Sequence, residues 1–185
     1  TAYAFARLDF PGRDFLFLFV LIALMLPFQV TLIPTYITVQ SLGMVNSLSG
    51  LIIPRATNAF GIFMLRQFFK GLPKELDDAA RIDGSSDVKV FFKICLPQVV
   101  AGLAATFVFG LILTWNEFLF ALLLTGVDTR TVPVAMNQAV SSGGRGTDWT
   151  LLASIETLFL IPVFLVTFFL QDHLLRGVTF GTVKR

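Results

Sequence analysis

Two acids stand inside otherwise uncharged apolar stretches of this sequence: Glu117, beside Trp115 and Asn116, and Glu156, near Ser154 and Thr157. A carboxylate at bilayer depth is costly and as a rule faces a protein interior or an aqueous path. Trp115, Asn116 and Glu117 together supply an aromatic face, an amide and a carboxylate, a set suited to a sugar in a substrate path. The competing reading gives the same three residues a packing or gating role near the outer end of a helix, and the two stay open. For Glu156 an interhelical hydrogen bond is the weightier reading. Enzymatic chemistry is harder to assemble. His173 is the one histidine and Cys95 the one cysteine, which leaves little for a nucleophile with its base or a metal site, and nothing for an internal disulfide. Neither His-Glu-x-x-His nor a Gly-x-x-x-x-Gly-Lys-Ser/Thr phosphate loop occurs. No catalytic, cofactor or metal residue is therefore assigned, and ATP, if used, must be handled by another chain.

The elements that carry these residues must lie in lipid. Hydrophobic residues form 55% of the 185 and charged residues 14%, where soluble chains average about 45–50% apolar with glycine counted and about 25% charged. Phenylalanine fills 21 positions and mean hydropathy is +0.79. A soluble domain of this length could not bury so much apolar surface. Disordered, collagen-like and disulfide-stapled classes are excluded by the same composition. A net charge of +2 makes no case for nucleic acid.

Crossing a bilayer core takes roughly 20 helical residues. Four stretches qualify: residues 15–33; residues 48–65, interrupted by Arg55 and Asn58; the run between Lys93 and Asp128; and residues 151–170. They are continuously apolar, unlike the alternating strands of a β-barrel. Eleven of the 14 Lys and Arg fall in residues 1–14, in the loop from Arg66 to Lys93, or in the tail from Arg176. Four helices place all three segments on one side, which the positive-inside rule makes cytoplasmic, both termini included. Pro27, Pro34 and Pro162 are expected to kink or end helices.

Residues 72–97 read as two short helices joined at Gly84. Pro73 suits a helix start, and Glu75, Asp77 and Asp78 complement the dipole of the first turns. Leu76, Ala79 and Ala80 form a narrow apolar face. Gly84 is the expected left-handed stop, Ser85 or Ser86 the next cap, and Val88, Phe91, Phe92 and Cys95 share one face at helical spacing. An amphipathic loop lying on the membrane surface would show as much by periodicity alone.

This loop resembles the EAA motif of membrane subunits of bacterial ATP-binding-cassette (ABC) importers: Glu-Ala-Ala, three residues, Gly, nine residues, Ile-x-Leu-Pro. Here it reads Asp78-Ala79-Ala80, Gly84 and Ile94-Cys95-Leu96-Pro97, with every spacing kept and Asp78 in place of glutamate. Nearby Glu75 can share the role of Asp78. Phe10-Pro11-Gly12-Arg13, Gln29-Val30-Thr31-Leu32-Ile33-Pro34, the run Phe60 to Phe69, Trp115-Asn116-Glu117-Phe118 and the ending Arg176 to Lys184 resemble the carbohydrate-uptake, maltose-permease branch.

The resemblance implies an all-α, multi-pass helical bundle, the type I ABC importer permease fold. Residues 1–185 would form one permease domain holding the last four of the usual six helices. Its implied partners are an ATPase dimer that docks the coupling loop, a second permease subunit, a periplasmic or lipid-anchored solute-binding protein, and the lipid bilayer of the bacterial plasma membrane. The implied coupling residues are Glu75, Asp78, Ala79, Ala80, Gly84, Ile94, Leu96 and Pro97. Relatives also carry non-sugar solutes such as glycerol phosphate. An ion-coupled secondary transporter is the alternative, but the paired halves it typically shows are absent from the sequence.

Overall fold

The computed structural model describes residues 1–141 and 147–179, and every regular element among them is helical. In order these are α1 (Ala2–Arg7), α2 (Arg13–Met25), α3 (Phe28–Ser41), α4 (Leu48–Arg55), α5 (Ala59–Lys70), α6 (Glu75–Ile82) and α7 (Asp87–Val90). A π-helical turn, Phe91–Cys95, then runs into α8 (Leu96–Gln98), followed by α9 (Val100–Trp115), α10 (Leu119–Leu124), α11 (Val132–Ser141) and α12 (Trp149–Thr179).

Among the described residues only α12, over Trp149–Gln171, is by itself long and apolar enough to cross a membrane; up to 4 crossings result if α2 with α3, α4 with α5, and Asp87–Gln98 with α9 each act as one broken span. The expected stretches are thus present, but three of them are interrupted. Pro27 precedes the first residue of α3; its ring excludes the helical conformation at Leu26 and ends α2 there. The run between Lys93 and Asp128 also divides, because α9 stops at Trp115 and α10 begins at Leu119. Pro34 and Pro162 lie inside helices and do not end them.

The chain folds as two compact units. The first comprises Thr1–Met25, Ala59–Gly110 and Phe168–Arg185. Its core is Ala2, Phe69, Ala80, Val90, Cys95 and Val99, with Tyr3, Ile62, Phe68 and Phe91 packed around it. α1 lies along α5, and Arg66 of α5, almost fully buried, donates from Nε to the Phe5 carbonyl at 3.2 Å and stacks over the Phe17 ring at 3.7 Å. Gly102 lets α9 approach α5: a Cβ there would collide with the Phe68 ring.

The second unit comprises Leu26–Asn58 and Leu111–Thr167, with Val39, Phe120 and Leu124 as its core against Leu32, Tyr36 and Leu51. The Arg55 guanidinium sits 5.1 Å from the Phe120 ring centre. In both units large apolar side chains, among them Phe15, Ile33, Phe107, Phe164 and Phe169, stay exposed. A helix satisfies its own backbone groups, so such faces are compatible with lipid as solvent.

Candidate functional site

The loop of residues 72–97 is built as a corner of two short helices, α6 and α7, joined at Gly84. Glu75, Asp77 and Asp78 occupy the first turn of α6, where they complement its dipole. Gly84 takes φ +74°, and the chain closes on it with the Gly84 N–H donating to the Arg81 carbonyl (3.0 Å) and the Ser85 N–H to the Ala80 carbonyl (3.0 Å). These are the two bonds of a Schellman motif, which satisfies the last carbonyls of a helix. Ser86, not Ser85, then caps α7 by accepting from the Lys89 N–H at 3.4 Å. An exposed Arg81–Asp87 ion pair at 3.1 Å bridges the corner.

The faces differ from those read in the sequence. Ala80 is buried in the unit's own core and Leu76 is half-buried, while Ala79, Asp78 and Glu75 are exposed. In the second helix Val88 and Phe92 are exposed, and Val90, Phe91 and Cys95 turn inward. The cause is the π turn at Phe91–Cys95: its i→i+5 bonding puts positions five apart, such as Val90 and Cys95, on one side. Ile94 and Leu96 pack against that core, and Pro97 is exposed.

Asp77, which sequence reasoning treated only as a dipole partner, is the hub of this element. Its carboxylate pairs with the Arg7 guanidinium at 3.2 Å and accepts from the Cys95 thiol at 3.2 Å. Arg7 also donates to the carbonyls of Phe69 (3.0 Å), Leu72 (2.6 Å) and Pro73 (3.4 Å). One buried arginine thereby ties α1, the end of α5 and the start of α6 together. Tyr3 packs edge-on against Phe69 and beside Phe91. Burial, reinforced by Cys95, Asp77 and Asp87, pushes its phenol up to about 12. The sequence signal for this cluster is weak, because the partners lie 70 and 18 positions from Asp77.

The Gly84 corner makes a testable expectation. Nothing lies within 4 Å of a Cβ built there, so the penalty for Gly84→Val is the left-handed backbone alone, about 1–2 kcal/mol. Gly84→Asn should lose less, since asparagine tolerates this region better. Thermal unfolding of the purified protein should rank them Gly, Asn, Val. A valine variant as stable as the parent would mean that the corner relaxes freely.

In the second unit the residues expected along the substrate path are used within the chain. The Trp115 ring stacks on Phe159 at 5.3 Å and its Nε1–H donates to the Phe159 carbonyl at 3.0 Å. Both Glu117 oxygens accept backbone N–H bonds at the start of α10, from Phe120 (2.8 Å) and Ala121 (3.0 Å). Glu117 is thus the cap that satisfies orphan donors of a helix otherwise lacking one. Asn116 donates to the Ile112 carbonyl at 2.9 Å but also lines a cleft of about 580 Å³, together with Asn137, Trp149 and Glu156. Ser154 and Thr157 turn back on their own helix, onto the carbonyls of Thr150 and Ala153. Glu156 has no hydrogen-bond or ion-pair partner among the described residues, so the interhelical bond expected for it is not formed there.

A family model described as "Binding-protein-dependent transport system inner membrane component" matches residues 1–180. The chain belongs to this family. Within it, the chain is 38% identical over 185 residues to the arabinooligosaccharides transport system permease protein AraQ of Halalkalibacterium halodurans, covering 100% of this chain and 66% of that protein. It is 36% identical to the osmoprotective compounds uptake permease protein GgtD of Synechocystis sp., over 100% of this chain and 62% of the relative. It is also 36% identical to the sn-glycerol-3-phosphate transport system permease protein UgpE of Pectobacterium atrosepticum, over 96% and 64%. The chain therefore spans somewhat under two thirds of the length of these family members. Among solved structures, a bacterial ABC transporter involved in the import of the acidic polysaccharide alginate superposes with TM-score 0.80 over 94% of this chain and 66% of that one, at 22% identity. The all-α membrane permease fold expected from the sequence is the fold of this inner membrane component.

Proposed function

We propose that this chain is the permease subunit of an ATP-driven carbohydrate importer and acts as an energy coupler, with ATP hydrolysed on a separate chain. The observation that carries the proposal is the corner of α6 and α7. It keeps the Asp78-Ala79-Ala80, Gly84, Ile94-Cys95-Leu96-Pro97 spacing, is closed at Gly84 by a Schellman motif, and is tied to α1 and α5 through Arg7. A rigid corner of this kind transmits displacement in place of absorbing it, and a partner shifts a conformational equilibrium only by binding one conformer better. The surface offered to an ATPase dimer consists of Glu75, Asp78 and Ala79 with the exposed apolar side chains of Ile82, Val88 and Phe92. Ala80 contributes from inside, as packing that sets the position of α6.

On this reading residues 1–185 act as one permease domain in a plasma membrane, residues 72–97 and both termini face the cytoplasm, and a second permease and a solute-binding protein complete the transporter. The glycerol-phosphate reading, favoured by the likeness to UgpE, is the second one. Right-side-out vesicles holding the assembled transporter provide the test. They should take up labelled neutral sugar only when ATP is loaded inside. In the same vesicles an Arg81→Cys, Cys95→Ser variant should be shielded from a membrane-impermeant maleimide, and Asp128→Cys, Cys95→Ser should react. Uptake without ATP, or labelling of position 81 from outside, would overturn the reading.

A further inference from the structure

We infer that the cleft of the second unit holds a neutral polyhydroxylated solute, with the Glu156 carboxylate accepting its hydroxyl hydrogen bonds. The inference rests on the importer reading and narrows its substrate class. The cleft is lined by Asn116, Asn137, Trp149, Glu156 and Phe159 among others, and its volume of about 580 Å³ lies in the range of small-molecule sites, about 300–1,000 Å³.

Three features select the occupant. Glu156 is the eighth residue of α12, which at 1.5 Å per residue sets it about 10 Å along the apolar helix from Trp149. An acid so placed, without a hydrogen-bond or ion-pair partner among the described residues, is open to water or to a ligand. Secondly, the other polar side chains of the lining are the amides Asn116 and Asn137; an amide carries both donors and an acceptor, and the Asn116 bond to the Ile112 carbonyl uses one donor only. Hydroxyl groups answer both a carboxylate and an amide, whereas an ammonium group offers donors only. Thirdly, among the described residues the lining contains no Lys or Arg, so a phosphate or uronate would meet Glu156 with no compensating cation from them, a like-charge encounter that disfavours anionic solutes. Trp149 and Phe159 add aromatic faces for the apolar side of a sugar ring. Trp115 and Glu117 stand outside this role, being held by Phe159 and by the start of α10.

The test uses the complete transporter, with its full-length subunits, in proteoliposomes supplied with solute-binding protein and ATP. Labelled arabinotriose, maltotriose and sn-glycerol 3-phosphate are the probes. The parent should carry a neutral sugar, and Glu156→Gln should raise KM for that sugar about tenfold or more, because hydrogen bonds to a charged acceptor are replaced by weaker neutral ones. Glu156→Asp should fall between, and competition by sn-glycerol 3-phosphate should strengthen in the glutamine variant. An unchanged KM would overturn this inference and leave the importer reading standing. Uptake of sn-glycerol 3-phosphate with no uptake of neutral sugar would overturn it as well. No ATP-dependent uptake of any probe by the parent would sink the importer reading and this inference together. Loss of co-purifying subunits from Glu156→Gln would reassign the carboxylate to a subunit contact. A loss in Arg145→Gln that is non-additive with Glu156→Gln would reassign it to an ion pair within the chain.

Discussion

Asp77→Ala is expected to destabilise the first unit by about 3 kcal/mol, near the lower end of the range for breaking a buried ion pair. The change strips the buried Arg7 guanidinium of its only carboxylate among the described residues and leaves the Cys95 thiol without its acceptor. The loss stays at the lower end because Arg7 keeps the carbonyls of Phe69, Leu72 and Pro73. Since the same arginine fixes α6 to α1 and α5, ATP-dependent uptake should fall further than thermal stability alone accounts for. Arg7→Lys should be damaging too, because an ammonium cannot reproduce the guanidinium fork. Thermal unfolding in detergent, read beside uptake in vesicles, checks both. A stable Asp77→Ala variant with normal uptake would show that the Arg7–Asp77 tie does not position the loop.

Ala80→Glu and Ile82→Glu should fail in opposite ways although they stand two residues apart. Ala80 is only 5% exposed and packs in the core with Phe69, Val90 and Cys95. A glutamate there must bury a charge beside Asp77, on the order of 3 kcal/mol or more, and the unit should lose its fold. Ile82 is 86% exposed. Its replacement should shift stability by no more than about 0.5 kcal/mol, the usual size of a surface change. It should nevertheless release the ATPase subunit and abolish coupled uptake, since it puts an unpaired charge on the docking surface. Near-parental stability for Ala80→Glu would contradict the inward face of α6. Retention of a bound, coupled ATPase by Ile82→Glu would remove the exposed face from the docking surface.

Much of this was legible in the residues. The left-handed Gly84, the acidic first turn of α6 and the cap at Ser86 are local properties, set by the conformations and hydrogen bonds each residue type permits within a few positions. The apolar stretches are equally local, and so are the proline positions, though sequence does not say which proline breaks a helix. Pro27 does, whereas Pro34 and Pro162 are absorbed within theirs. Which side of α7 faces inward was not legible, because a 3.6-residue period was assumed where the chain makes a π turn.

The membrane acids show the same division more sharply. Sequence placed Glu117 and Glu156 in apolar surroundings and left Glu117, beside Trp115 and Asn116, open between a substrate-path role and a packing or gating role. Tertiary structure shows how each is held: two backbone N–H groups of α10 occupy Glu117, whereas Glu156 lines the cleft between α11 and the start of α12. By itself the sequence determined the membrane class, the helical stretches, the capped corner at Gly84 and, through its motif spacing, the family. Those follow from composition and short-range geometry, which act along the chain. The Arg7–Asp77–Cys95 hub, the inward turn of Ala80 and the different settings of the two acids were decided only by the fold, because each depends on which groups meet in space.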